Sequence, residues 1–315
     1  MDFVRKIFAL LIVAIFAATA LQVYAAQSIQ AELGDEDNAA EELGKSAEKF
    51  FATLPKAKGN YKSRQRPILI EGAMNSEVGV LARALENPVT YRHAHYLYVA
   101  GTYKDYPVVV LRTEQGMTNA AASTALAINF FNPVAVINQG TAGGHLVSMK
   151  NHDIVIGALS VNLSAYVTDH NPADGVIDIT KQEMRGTYAY DKDTGKFQPN
   201  AGYFSDEKLV EISGQTGLSN KNFNVVTGII GSEDAWIKDV DHINFLFNKY
   251  GAICEDMETC SVAQICHSAD IPFVGVRVIS DNVTNGETYD AYTAVTCQNF
   301  VLLVVENYIR DVLKK

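Results

Sequence analysis

Residues Phe273–Ile279, reading FVGVRVI, form an apolar run rich in valine and isoleucine that follows Pro272 and has no helical period. A run of that kind predicts a buried central strand, so the chain must supply neighbours and covering layers around it. It stops in Ser280, Asp281 and Asn282. Polar groups then stand at the carboxyl end of a central strand, where open α/β sheets take their ligands. Arg277 lies inside the run. A charge buried in a strand is costly unless it is paired, so Arg277 must meet a carboxylate or face an anionic or water-filled pocket. The plainer reading of Asp281 is a cap on the turn that ends the strand.

The 315 residues suggest one large domain or two small ones. A net charge of −10 without a basic cluster argues against nucleic acid or an anionic membrane surface as partner. A small neutral or cationic ligand fits better. At the start, Arg5 and Lys6 precede the apolar run Ile7–Ala20, and Val23-Tyr24-Ala25 has the small-x-small pattern of a cleavage site. Residues 1–25 therefore read as a signal peptide, with the mature chain beginning near Ala26 and the protein exported to a periplasmic or secreted setting. The rival reading is an uncleaved anchor. No later segment is long and apolar enough to span a bilayer. Residues 26–64 turn acidic and then basic and read as a polar tether carrying a short helix near Ala39–Phe51, with Phe50, Phe51 and Leu54 available to dock. The four cysteines, Cys254, Cys260, Cys266 and Cys297, show no CxxC pair and read as buried free thiols, with one bridge through Cys297 left open.

Order begins at Pro67. Ile68–Ile70 predicts a strand, followed by a glycine turn and a helix through Leu85, with Glu77 in the helix's opening turn, where a capping carboxylate is the plain explanation. Tyr96–Ala100 and Val108–Leu111 read as a hairpin. Thr113–Asn119 then opens the alanine-rich helix Ala120–Phe131. Val134–Asn138 predicts a strand and Gln139–Gly144 a glycine loop, which is not a dinucleotide fingerprint. Ile154–Val161 and Asn222–Ile230 read as strands on either side of a long polar stretch, Tyr166–Gly202, of the kind that serves as a lid or an interface. Trp236, the only tryptophan, is either an anchor or a flat face for a purine. Ile253–His267 reads as a helix opening on Glu255, Asp256 and Glu258, and Tyr289–Leu313 as a long amphipathic helix over one face of the sheet.

Strand after strand thus ends in polar residues and glycines, with Glu77, Glu258 and Asp281 standing at such ends. The motifs GAMNSEV, NQGTAGG, DMET and RVISDN occur in an order and spacing that resemble the nucleoside phosphorylase family and, within it, the 5′-methylthioadenosine/S-adenosylhomocysteine nucleosidases, over about Pro67–Leu313. The resemblance implies a three-layer α/β/α domain over residues 65–315 around a mixed central sheet. It implies that Asp281 protonates purine N7 and that Glu77 orients the attacking water. Glu258 would bind the ribose hydroxyls, Met257 would pack on the sugar, and Trp236 would stack on the base. Ile237 would offer backbone hydrogen bonds to the purine edge, and Arg277 and Thr113 would help hold the water. Met74, Gly143, Ser280 and Tyr289 complete the implied lining. The reaction needs no metal or cofactor, and the partners implied are an adenine nucleoside and a second copy of the chain.

The loop Thr113-Glu114-Gln115-Gly116 departs from the serine- and glycine-rich version usual in the family, and the stretch after Val161 is longer and does not match. The acids are therefore better supported than the pocket for the 5′ substituent. Two other readings compete with hydrolysis. A phosphorylase would use phosphate, which Glu77 and Glu114 would repel. A non-catalytic exported nucleoside-binding, adhesive or storage protein would keep the fold without turnover.

Overall fold

In the computed structural model, which describes residues 38–168, 170, 178–191, 194–219 and 222–314, the chain runs through α1 (Asn38–Thr53), β1 (Ile68–Gly72), α2 (Asn75–Arg83), β2 (Glu86–His93), β3 (Tyr96–Tyr103), β4 (Tyr106–Arg112), α3 (Met117–Phe131), β5 (Ala135–Gly144) and β6 (Ile154–Asn162). Short strands follow: β7 (Tyr166–Val167), β8 (Glu183–Met184), β9 (Thr187–Asp191), β10 (Lys196–Asn200) and β11 (Gly202–Phe204). The last part holds α4 (Glu207–Leu218), β12 (Val225–Ser232), α5 (Val240–Tyr250), β13 (Ala252–Asp256), α6 (Thr259–Ser268), β14 (Phe273–Asp281) and α7 (Thr293–Tyr308), which ends in a π-helical turn over Ile309–Leu313. The expected signal peptide lies outside the described residues. No helix among them is long and apolar enough to cross a membrane.

The valine-rich run forms β14 and is buried along its whole length. It pairs in parallel with β5, Phe273 beside Val136, and antiparallel with β6, Gly275 beside Gly157. On the far side of β6, β12 runs parallel to it and to β13, and β13 returns to β5 through Cys254↔Gly144 and Glu255↔Gly143. Five strands thus close on themselves. Register shifts at Gly228/Ile229, Ile229/Ile230 and Ile279/Asp281 accompany that closure, as bulges sharpen the twist a curled sheet requires. From β5 the sheet also extends outward through β1 and β4 in parallel, then antiparallel to β3 and β2.

Alternation along the strands assigns the two covering layers. Ile68, Ile70, Val108, Val110, Ile137 and Val276 face a core shared with Leu81 of α2, Leu209 of α4 and Phe300 of α7. Their neighbours Leu69, Val109, Leu111 and Val136 face another, shared with Ala127 of α3 and Cys260 and Cys266 of α6. Successive strand side chains point to opposite faces, so a strand apolar at every position needs helices on both. This is the expected three-layer α/β/α arrangement around a mixed sheet, with the added closure.

Several expectations change. The stretch read as a tether contributes to the core: Ala47 and Phe51 of α1 are buried against the face that holds Leu81 and Ile68, with Phe50 and Leu54 packed beside them. Gln139–Gly144 is the second half of β5 and not a loop, because these glycines are paired to β14 and β13. Ile253–Asp256 is strand and not helix, and α6 starts only at Thr259. The hairpin of β3 and β4 gains β2 as a third strand. The four cysteines are buried free thiols.

Candidate active site

The carboxyl half of β5 organises the site. Glu77, in the first turn of α2, turns its carboxylate back over the strand–helix junction. Its Oε2 accepts from the backbone N–H of Ala73 at 2.8 Å and of Met74 at 3.1 Å, while Oε1 accepts from Thr141 N at 2.9 Å and Thr141 Oγ1 at 3.1 Å. The capping reading is therefore correct in part. The same carboxylate that caps α2 is also fastened to β5, and four donors fix its direction.

One residue earlier on β5, a side chain at Gly140 would collide with the Arg277 guanidinium and come within 2.7 Å of Glu77 Oε1. Glycine here lets the two groups meet across bare backbone. Arg277 is 1 % exposed and finds the carboxylate its burial demanded. Its Nε donates to Asp256 at the end of β13, and Nη2 donates to Asn138 and lies 3.7 Å from Glu258 Oε2. Burial works against the guanidinium's charge, but Asp256, Glu258 and Glu77 together raise its pKa above the ordinary value. Asp256 is already the close counter-ion. Burial consequently dominates at Glu258, whose pKa is pushed up to about 8 against the pull of Arg277 and of the Gly116 N–H, which donates to Oε1 at 2.9 Å. Gly116 and Met117 open α3, and Asp234 accepts from Met117 N at 2.7 Å. Two acids from the opposite side of the site thus meet the positive end of that helix.

Two residues on from Thr141, Gly143 pairs with both Asp281 of β14 and Glu255 of β13. The anchor points of Glu77 and Asp281 are separated by about 7 Å of strand. Asp281 is 6 % exposed. Its Oδ1 accepts from Ser280 Oγ and its Oδ2 from the indole Nε1 of Trp236, both at 3.0 Å. Burial raises its pKa, and the two hydrogen bonds oppose that rise. Trp236 meets the ring of Tyr289 edge-on at 5.6 Å, and the Lys238 ammonium lies over the indole at 4.1 Å.

Of the remaining implied residues, Met257 is half-buried between Asp256 and Glu258, and Met74 receives Gln115 Nε2 on its sulfur at 3.5 Å. The Ile237 side chain belongs to a small core with Val161, Leu163, Ile243 and Leu246, which leaves its backbone as the only part able to meet a ligand. Thr113 is fully buried, and its hydroxyl lies 3.0 Å from the Glu114 carbonyl. Three participants escaped sequence reading. Asp256 looked like one of three dipole partners of a helix, although the buried charge of Arg277 called for a carboxylate or a polar pocket around it. His145, next to the glycines of β5, pairs with Glu255 in a buried contact that spans 110 positions of sequence. Gln298 of α7 accepts from Val80 N at 2.8 Å and donates to Ser76 O at 2.8 Å, which braces the helix carrying Glu77. A surface hollow of about 590 Å³, lined by Thr180, Asp241, Phe245 and Lys249 beside α5, includes none of the three carboxylates.

A closed mixed sheet whose strand ends gather a capped glutamate, a paired arginine and a sequestered aspartate defines the class. The sequence model of the phosphorylase superfamily matches residues 67–309, and the chain belongs to that superfamily. Within it the protein is a nucleosidase, an N-ribosyl hydrolase. It is 33% identical over 215 residues to the 5′-methylthioadenosine/S-adenosylhomocysteine nucleosidase of a Geobacillus species, covering 68% of this chain and 84% of the relative. Identity to the enzyme of that name from Bacillus cereus is 30% over 246 residues, covering 76% of this chain and 98% of the other. The crystal structure of such a nucleosidase from Colwellia psychrerythraea in complex with adenine aligns with a TM-score of 0.61 at 25% identity, over 79% of this chain and 97% of that one. Futalosine hydrolase of Helicobacter pylori shares the fold at a TM-score of 0.62 and 20% identity, over 77% and 99% of the two chains.

Proposed function

We propose that this protein hydrolyses the N-glycosidic bond of an adenine nucleoside, either 5′-methylthioadenosine, S-adenosylhomocysteine or a related compound, and releases adenine. The observation that carries the reading is the presence of two differently prepared carboxylates beside the carboxyl half of β5, Glu77 bonded to Thr141 and Asp281 paired with Gly143. Asp281 is sequestered so that burial favours its protonated form, and Glu77 is fixed as an acceptor by four donors.

In this reading Asp281 gives a proton to N7 of the purine, because neutral adenine leaves far more readily than its anion. Positive charge develops on the sugar as the bond lengthens, and Glu77 orients the water that captures it from the opposite face, as in inverting glycosidases. Glu258 takes the ribose hydroxyls beside the half-buried Met257, and the backbone of Ile237 meets the purine edge. Water is favoured over phosphate because Glu77 and Glu114 would repel the anion, while Arg277 is already engaged with Asp256. The pattern of Arg5, Lys6 and Ile7–Ala20 supports export, so the nucleoside would be met in the periplasm or outside the cell.

Adenine release by the purified mature protein, followed with and without phosphate, tests the proposal. Release should be independent of phosphate, and Asp281→Asn should slow it by on the order of 10²-fold or more, since proton donation contributes ~10²–10⁴. A fully active Asp281→Asn enzyme, or release that requires phosphate, is the result that rejects it.

A further inference from the structure

We propose that Trp236 is a positioning residue that aims the Asp281 carboxyl group through its indole N–H. The inference rests on the reading of Asp281 as the acid and deepens it. Each oxygen of Asp281 has one side-chain donor, and the two donors come from different places: Ser280 from β14 itself, and Trp236 from the segment between β12 and α5. Trp236 is 54 % exposed, yet the single polar atom of its indole is directed inward to Oδ2 at 3.0 Å. Its orientation is held by the edge contact with Tyr289 and by Lys238, whose ammonium covers one face of the ring. A residue serving only as a stacking platform has no need of the N–H, and a base approaching that face would meet the ammonium first.

A hydrogen bond donated to a carboxylate favours its ionised form, so this contact sets how tightly Asp281 keeps its proton as well as where it points. The groups around Asp281 are few. Glu255 of β13, itself in contact with His145, favours the protonated form, and Lys238 favours the ionised one. Removing the indole N–H leaves Glu255 and burial to act with less opposition. The carboxyl group should then stay protonated to higher pH while losing its aim.

The experiment compares kcat and KM against pH for the wild type and Trp236→Phe, which keeps an aromatic face but carries no donor. The expected result is an alkaline limb of kcat/KM displaced upward by about 0.5–1 pH unit, with kcat reduced several-fold and KM changed less than about twofold. A limb that does not move, or one that moves down, overturns the inference, and a raised KM with an unmoved limb shows a stacking role alone. A second measurement needs no change at the tryptophan. Trp236 is the only one in the chain, so its emission should change over the pH range in which activity falls, and Asp281→Asn should abolish that transition. Emission that does not respond to pH overturns the inference equally. The underlying reading fails separately, through an active Asp281→Asn enzyme. If Asp281→Asn is inactive and the Trp236→Phe profile is unmoved, only the positioning role is lost.

Discussion

Arg277 sets the charge states around it. With Asp256 as its close partner it behaves as one half of a buried ion pair, and at Glu258 burial outweighs its pull. Glu71 shows the same effect away from the reaction. It is fully buried on β1, its carboxyl group bonds Thr124 Oγ1 at 3.0 Å, and burial pushes its pKa up to about 8 from the ordinary 4.5. A folded-state pKa raised in this way makes Glu71 harmless to stability below about 4.5 and increasingly costly as pH rises through about 8, because only the unfolded chain ionises it freely. Glu71→Gln should therefore remove part of the loss of melting temperature that the wild type suffers between about pH 5 and 8. Thermal melts across that range check it, and parallel curves for the two proteins would show that Glu71 is not the group responsible. That Arg277 had to meet a carboxylate or a polar pocket was readable from a charge within a valine-rich strand, and the structure supplies a carboxylate. Its identity was not readable, because Glu255, Asp256 and Glu258 are near neighbours in sequence and their side chains take different partners: His145, Arg277, and the Gly116 N–H.

Among the elements, β5 carries more of the site than its sequence discloses. NQGTAGG looks like a turn because glycine usually marks one, yet here the glycines let a strand lie against Arg277, Glu77 and Glu255 without side chains of its own in the way. Gly140→Ala should push Glu77 and Arg277 apart, since its Cβ would lie 2.7 Å from Glu77 Oε1 and closer still to the guanidinium. An overpacked buried position typically costs ~1–3 kcal/mol, and adenine release should fall with it. Chemical denaturation and the release assay together test this; unchanged stability and rate would mean that β5 has slack at this point. The periodic elements β1, β6, β12, β14, α2, α3 and most of α7 follow from their apolar patterns. β13 was missed because Ala252–Asp256 is only five residues long, and its acidic end resembles a helix start.

At the scale of the whole molecule, aromatic surface is concentrated where the sequence departs from the family. Tyr188 is 73 %, Phe197 71 % and Phe204 82 % exposed, and Tyr190 packs edge-on against Phe197 at 5.5 Å. Large exposed rings grouped on short strands are the composition of an interface core. We expect the mature protein to be a homodimer that uses this surface. Light scattering at micromolar concentration should give twice the chain mass, and Tyr188→Ser with Phe197→Ser should shift it toward the monomer. A wild-type monomer with full activity would reject both the dimer and a partner-built pocket.

Most of the longer strands and helices, the buried strand that ends in Ser280-Asp281-Asn282, and the family were readable from local pattern, because periodicity and short motifs are properties of neighbouring residues. The Asp256–Arg277 pair, the sharing of Glu77 between α2 and β5, the His145–Glu255 contact and the Trp236–Asp281 bond were decided by the tertiary structure alone. Each joins groups from separate elements, and which groups meet depends on the curl that returns β13 to β5. That closure arises from bulges and from glycines packed under neighbouring side chains, cooperative features that no window along the chain contains.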